Sequence, residues 1–140
     1  ERRNKTIKTM KRIDISNYIY VLLMILIFGC SAAFGQEFIN GDFKDRIAKD
    51  IVAIEFWADW NSANQFADLG KLKECEKYRL DIMAHADIQT KYNITGIPTI
   101  IIFDNGIEKE RFNPNIMFKL EADKKTVQHA VDTIKLNKFQ

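Results

Sequence analysis

The chain has 140 residues, enough for one ordinary domain, and its content of 46% hydrophobic and 29% charged residues is that of a globular protein. Residues 1–20 carry six Lys and Arg against two acids, a net of 6 − 2 = +4, whereas residues 36–140 carry fifteen against seventeen, a net of 15 − 17 = −2. This near-neutral body argues against a nucleic-acid partner, and two cysteines and two histidines argue against a disulfide scaffold, a metal site or a metal cofactor.

The N-terminal part has the layout of a secretory signal, with a basic lead over residues 1–18 followed by an uncharged apolar run over residues 19–35. Three outcomes stay open. The run is cleaved after Ala33-Phe34-Gly35, or Cys30 carries a lipid because Ile27-Phe28-Gly29-Cys30 resembles a lipobox, or the run is retained as a membrane anchor. Each outcome places residues 36–140 in the cell envelope, with possible membrane association through residues 19–35.

Apolar periodicity in residues 36–140 predicts alternating strands and helices. The predicted elements are, in chain order, strand 37–39, helix 41–49, strand 51–58, helix 62–77, strand 79–83, helix 87–92, strands 99–103 and 107–112, and a last helix capped by Asp123. The sequence Asp104-Asn105-Gly106 predicts a hairpin turn between the last two strands. This order indicates an α/β fold in which a mixed central sheet carries helices on both faces.

The predicted helix 62–77 places four apolar side chains at helical spacing, namely Phe66, Leu69, Leu72 and Cys75. This spacing predicts that Cys75 is a core thiol near the end of that helix, about 21 Å from Asn61. The acid Glu55 stands out because the rest of strand 51–58 is apolar. We expect it to be buried.

Two motifs resemble the thioredoxin family. The sequence Phe56-Trp57-Ala58-Asp59-Trp60 is similar to the approach to that family's active site, and residues 91–99 are similar to its second signature, whose proline is cis. The resemblance covers residues 36–140, with a lengthened connection at residues 113–122, and implies a thioredoxin-like fold. It also implies that Pro98 is the cis-proline and that Trp60 flanks the site. Glu55 would be the family's buried acid with Arg79 as its partner, either as a structural ion pair or with a residual role in proton transfer.

The chain departs from the family where the family has Cys-x-x-Cys, because it carries Asn61-Ser62-Ala63-Asn64 there. Disulfide exchange needs one thiolate to attack and a second thiol to resolve the mixed disulfide, and Asn can do neither. We therefore expect a redox-inactive site with no catalytic residue, and we expect Asn61 to cap the helix that follows.

The leading hypothesis is a protein-binding module that serves as an assembly factor or complex subunit in the envelope. Its groove would hold a partner segment through main-chain hydrogen bonds. The candidate groove residues are Trp60, Asn61, Asn64, Ile97 and Pro98. Two alternatives remain: a thiol-disulfide oxidoreductase that uses Cys75 or a partner's cysteine, and a purely structural subunit.

Overall fold

Five strands form one mixed sheet in the order β1-β3-β2-β4-β5. The strands are β1 (Gln36–Glu37), β2 (Ile51–Trp57), β3 (Glu76–Asp81), β4 (Thr99–Asp104) and β5 (Ile107–Phe112). β3 runs parallel to both β1 and β2, whereas β4 runs antiparallel to β2 and β5. This computed structural model describes residues 36–37 and 40–139, with side chains from residue 42. The predicted signal or anchor, Cys30 and the basic lead lie outside the described residues.

Helices cover both faces of the sheet, as predicted. Along β2 the side chains of Val52, Ile54 and Phe56 face one core cluster, whereas Ile51 and Ala53 face the other. The first cluster also receives Phe43 and Ile47 of α1 (Asn40–Ile47) and Ile88 of α2 (Ala86–Lys91), and the second receives Val127 and Val131 of α3 (Lys124–Asn137). The expected α/β architecture is confirmed.

Two local signals in the sequence are also confirmed. Asn105 and Gly106 have φ angles of 48° and 82°, the paired positive values of a type I′ turn, and they join β4 to β5. Asp123 precedes α3, and its carboxylate accepts a hydrogen bond from the Thr126 N–H at 2.8 Å. Together they fix the last strand pair and the start of the last helix.

The predicted helix 62–77 is wrong. The chain there forms two short 3₁₀ turns, Asp59–Asn64 and Leu69–Lys71, and β3 begins at Glu76, three residues before the predicted strand. Of the four apolar residues that suggested the helix, only Leu69 lies in one of these turns. Phe66, Leu69 and Leu72 are nevertheless buried, as the pattern required.

Among the helices of residues 40–139, α1 to α3, none combines the length and apolar character needed to cross a bilayer.

Candidate functional site

Four chain segments meet at one end of the sheet because of the strand register. The parallel strands β2 and β3 finish side by side, with Trp57 paired to Asp81. At the same end, Thr99 of β4 pairs with Phe56 and Phe112 of β5 pairs with Ile100. The residues that follow β2, β3 and β5, and those that precede β4, are therefore neighbours in space.

Asn61 joins three of these segments. Its side-chain nitrogen Nδ2 donates to the carbonyl oxygens of Ile97 and Phe118, each at 3.0 Å, and its Oδ1 accepts from Asn64 Nδ2 at 2.6 Å. Since a carbonyl can only accept, the nitrogen must face both of these partners, so the orientation of the amide is fixed by its surroundings. The residue is only 9% exposed, and all of its side-chain hydrogen-bonding groups are used.

The expected helix-capping role of Asn61 is wrong. Asn61 lies inside the first 3₁₀ turn, where its φ of −117° departs from helical geometry, and the residue before that turn is Ala58. Its side chain bonds to distant loops instead of to a following helix, because no α-helix starts here. Ser62 and Ala63 are exposed beside it.

The predicted groove residues are brought together around Asn61. The Ile97–Pro98 peptide bond is cis, both residues are buried, and the Ile97 carbonyl is one of the two that Asn61 binds. Trp60, the next residue back in the chain, is 61% exposed. The site therefore has a buried polar centre with a large aromatic side chain at its rim.

Sequence reasoning missed the main neighbour of this site, residues 113–122, which we call the 113–122 hairpin. Its two arms pair at Pro114 and Leu120. Within the turn, the Asn115 N–H donates to the Lys119 carbonyl at 2.9 Å. The side-chain oxygen Oδ1 of Asn115 accepts from the N–H groups of Met117 and Lys119. The Phe118 ring meets Trp60 edge-on, with ring centroids 5.4 Å apart. The available signal was Asn113-Pro114-Asn115, a cluster of turn residues followed by three consecutive apolar ones.

Beneath the site, Glu55 and Arg79 form a buried ion pair. Arg79 Nε donates to Glu55 Oε2 at 2.7 Å, and Glu55 is completely buried. The pair also holds both backbone groups of Phe66, whose N–H donates to Glu55 Oε1 at 2.7 Å and whose carbonyl accepts from Arg79 Nη2 at 3.3 Å. Burial raises the pKa of the Glu55 carboxyl, while the Phe66 N–H and Arg79 act in the opposite direction. The pair thus ties the irregular segment between the two 3₁₀ turns to the sheet.

Cys75 is far from this site. It immediately precedes β3, whereas the site lies beyond the opposite end of β3, so the two are roughly 20 Å apart at about 3.3 Å per residue. The expected location on a helix is wrong, but the expected contact with the core is found, since Cys75 packs against the second core cluster. Burial raises the pKa of its thiol to about 11, so it is almost entirely protonated at neutral pH.

Known proteins resemble this chain in sequence and in fold. A thioredoxin of Mycoplasma genitalium is 36% identical over 76 residues that cover 46% of this chain and 69% of that protein. A protein disulfide-isomerase of Schizosaccharomyces pombe is 29% identical over 101 residues. These residues cover 66% of this chain but only 28% of that protein. The structure of a mutant thioredoxin from Halobacterium salinarum superposes with a TM-score of 0.61 over 75% of this chain and 94% of that one, at 17% identity, which shows the fold alone.

The thioredoxin family model matches residues 36–125, which is more than half of the chain. The matched region contains the whole sheet and every residue of the candidate site. We conclude that the chain belongs to the thioredoxin family.

Proposed function

We propose that this domain binds an extended polypeptide segment non-covalently and no longer exchanges disulfides. The observation that carries the proposal is the hydrogen bonding of Asn61, whose carboxamide bonds to two main-chain carbonyls. The family resemblance implies that this residue takes the place of the first thiol. A group that recognises peptide carbonyls suits a binding site. It supplies neither a nucleophile for a disulfide nor a leaving group.

The environment of Cys75 supports the same reading. The oxidoreductase alternative needs a thiolate that can reach a substrate at the site. Cys75 lies at the far end of β3, and burial raises the pKa of its thiol to about 11. Desolvation of this kind is the usual state of a cysteine that packs in a core, where the thiol is inert.

The exposed rim supports binding over a purely structural role. Trp60 leaves 61% of its surface open to solvent beside a buried polar centre, and large aromatic residues in such places often dominate the energy of protein interfaces. We infer that the partner is a protein of the cell envelope, since the basic lead and the apolar run of residues 19–35 have the pattern of an export signal. In that compartment the domain would act as an assembly factor or complex subunit.

Two assays on the full chain test the proposal. In the first, insulin reduction with dithiothreitol should proceed at the uncatalysed rate. Turnover within about a hundredfold of an ordinary thioredoxin, a barrier difference of roughly 2.7 kcal/mol, would contradict the loss of redox activity.

In the second assay, carboxymethylated insulin B chain, an extended peptide without free thiols, is labelled and titrated by fluorescence anisotropy. Trp60→Ser should weaken its binding at least tenfold, because the loss of a tryptophan that a partner buries typically costs about 2 kcal/mol or more. The matched control is Leu136→Ser on α3, since Leu136 is 65% exposed but remote from the site. Equal binding by both variants and the wild type would favour the structural subunit instead.

A further inference from the structure

The 113–122 hairpin offers the site two groups that an extended peptide would also offer. One is a main-chain carbonyl, that of Phe118, which accepts from Asn61 Nδ2 at 3.0 Å. The other is a large apolar side chain, the Phe118 ring, which lies edge-on to Trp60 with centroids 5.4 Å apart. Both groups come from one residue, as they would from one residue of a bound ligand.

The hairpin is built to hold Phe118 in this position. Asn115 Oδ1 accepts two N–H groups of the turn, from Met117 and Lys119, and these hydrogen bonds stabilise the shape of the turn. Phe118 itself has a φ of 55°, in the left-handed region that a bulky residue rarely adopts. The turn therefore fixes the direction of the Phe118 carbonyl at a conformational cost, and the hydrogen bond to Asn61 is formed at that carbonyl.

The base of the hairpin is fitted against the segment that leads to Pro98. A Cβ atom added to Gly96 would lie 2.9 Å from Cγ of Pro114, a distance that real Cβ atoms do not show. Glycine at position 96 is thus required for the hairpin to lie as close as it does. By contrast, Ile116 and Met117 at the tip are 97% and 65% exposed and contribute little to holding it there.

We propose that Phe118 is an internal stand-in for the ligand, which closes the site until a partner segment replaces it. This proposal rests on the proposed function and specifies which chemical groups of the ligand the site binds. The ligand is an extended peptide that places a main-chain carbonyl on Asn61 Nδ2 and an aromatic side chain of the same residue against Trp60. Because the site is occupied by the chain itself, only molecules whose hairpin is open can bind the peptide. The measured Kd therefore equals the intrinsic Kd divided by the fraction of molecules in that open state.

The test compares two labelled peptides and three forms of the full chain. One peptide is a Ser-Thr sequence with a single central phenylalanine, and its twin has alanine in that place. The proteins are the wild type, a short-hairpin form in which residues 115–119 are replaced by Asn-Gly between the paired Pro114 and Leu120, and Ile116→Ser/Met117→Ser as the matched control. The short-hairpin form should bind the phenylalanine peptide at least tenfold more tightly than the wild type. It should also prefer that peptide over the alanine twin, and the control should bind like the wild type.

Other results would show whether this proposal alone fails or the proposed function fails with it. If the wild type binds but the short-hairpin form binds no more tightly, Phe118 is not a stand-in, while the proposed function stands. If the tip control loses binding, the tip is part of the docking surface and the proposal is overturned. If neither the peptides nor the carboxymethylated insulin B chain bind to any form, both this proposal and the proposed function fail.

A second variant serves if the short hairpin does not fold. Gly96→Ala should push Pro114 away and loosen the Phe118 contact, while the Trp60 and Asn61 side chains are both retained. The Trp60 indole N–H resonance, assigned with Trp60→Phe, should then shift as the ring current of Phe118 is lost. It should shift in the same direction when the wild type is saturated with the alanine twin, which has no ring, and shift less with the phenylalanine peptide, whose ring takes the place of Phe118. An indole resonance that is the same in Gly96→Ala as in the wild type, with thermal melting showing a folded protein, would overturn the proposal.

Discussion

At position 61, where the family resemblance expects a thiol, the carboxamide of Asn61 makes more hydrogen bonds than a thiol can. A thiol offers one weak donor, whereas the Asn61 amide has two N–H groups and an oxygen, and each of them has a partner at 3.0 Å or less. Two of the partners are backbone groups from segments that lie 36 and 57 residues away in the sequence. The Asn61 side chain therefore links distant parts of this domain.

Asn61→Ala should lower the free energy of unfolding by about 2 kcal/mol, because it removes two side-chain hydrogen bonds to backbone carbonyls at about 1 kcal/mol each. The measurement is urea denaturation followed by circular dichroism. Asn64→Ala is the control, since Asn64 makes one hydrogen bond to Asn61, and it should cost about half as much. Equal costs for the two variants would show that Asn61 does not hold the segments together.

Glu55 gives the protein a dependence on pH whose sign follows from its burial. Since burial raises the pKa of Glu55 in the folded state, its contribution to stability is complete below the unfolded pKa of about 4.3 and is lost as the pH rises through the folded value. The stability of the wild type relative to Glu55→Gln, which cannot titrate, should therefore fall as the pH rises above about 4.3. A relative stability that rises with pH would mean that Arg79 lowers the pKa of Glu55 below its unfolded value.

At the scale of elements, strands and turns were more predictable than the segment between β2 and β3. The strand 107–112 matches β5 residue for residue, and the Asn105-Gly106 turn and the Asp123 cap follow from local chemistry alone. Residues 62–77 carry the apolar spacing of a buried face, but burial of a face does not require an α-helix. Here Glu55 and Arg79 bind the backbone of Phe66, which supplies hydrogen bonds that a helix would otherwise make within itself.

The site was only partly predictable for a related reason. Trp60, Asn61, Ile97 and Pro98 are adjacent to recognisable motifs, so their positions follow from the family resemblance. The contact between Asn61 and Phe118 spans 57 residues and depends on a hairpin that the resemblance describes only as a longer connection. Its shape comes from the hydrogen bonds of Asn115, which no periodic pattern reports.

The short 3₁₀ turn at Asp59–Asn64 limits what restored cysteines could do. Asn61→Cys/Asn64→Cys should close an internal disulfide under mild oxidation, since the two side chains already touch at 2.6 Å. Insulin reduction by this double variant should be measurable but slow. No α-helix begins at position 61, so no helix dipole lowers the pKa of the thiol introduced there far below about 8.5. Ultraviolet titration of the thiolate and insulin turbidity measure the two effects.

The single variants Asn61→Cys and Asn64→Cys are the controls for that experiment, and neither should reduce insulin. If the double variant closes no disulfide, residues 61 and 64 do not correspond to the family's two cysteines. If the pKa of the thiol at position 61 is well below 7, the protein forms a longer helix after position 61 than the 3₁₀ turn Asp59–Asn64.

For the whole molecule, the pattern of residues 1–35 predicts export to the cell envelope. We expect the mature protein in the envelope fraction, with a mass that corresponds either to loss of residues 1–35 or to loss of residues 1–29 and a lipid on Cys30. Intact-mass spectrometry of the protein from native membranes separates these outcomes, and an uncut chain in the membrane fraction indicates a retained anchor. An uncut chain found only in the cytoplasm would contradict the envelope proposal.

The environment of Cys75 also makes the domain convenient to label. With a thiol pKa of about 11, only about one molecule in a thousand carries the thiolate at pH 8, so maleimides and iodoacetamides should modify Cys75 slowly. A cysteine placed at an exposed position such as Ser62 would react first, without prior removal of Cys75. A fluorophore at position 62 would stand next to Asn61 and Trp60, and could report the opening of the hairpin in single molecules.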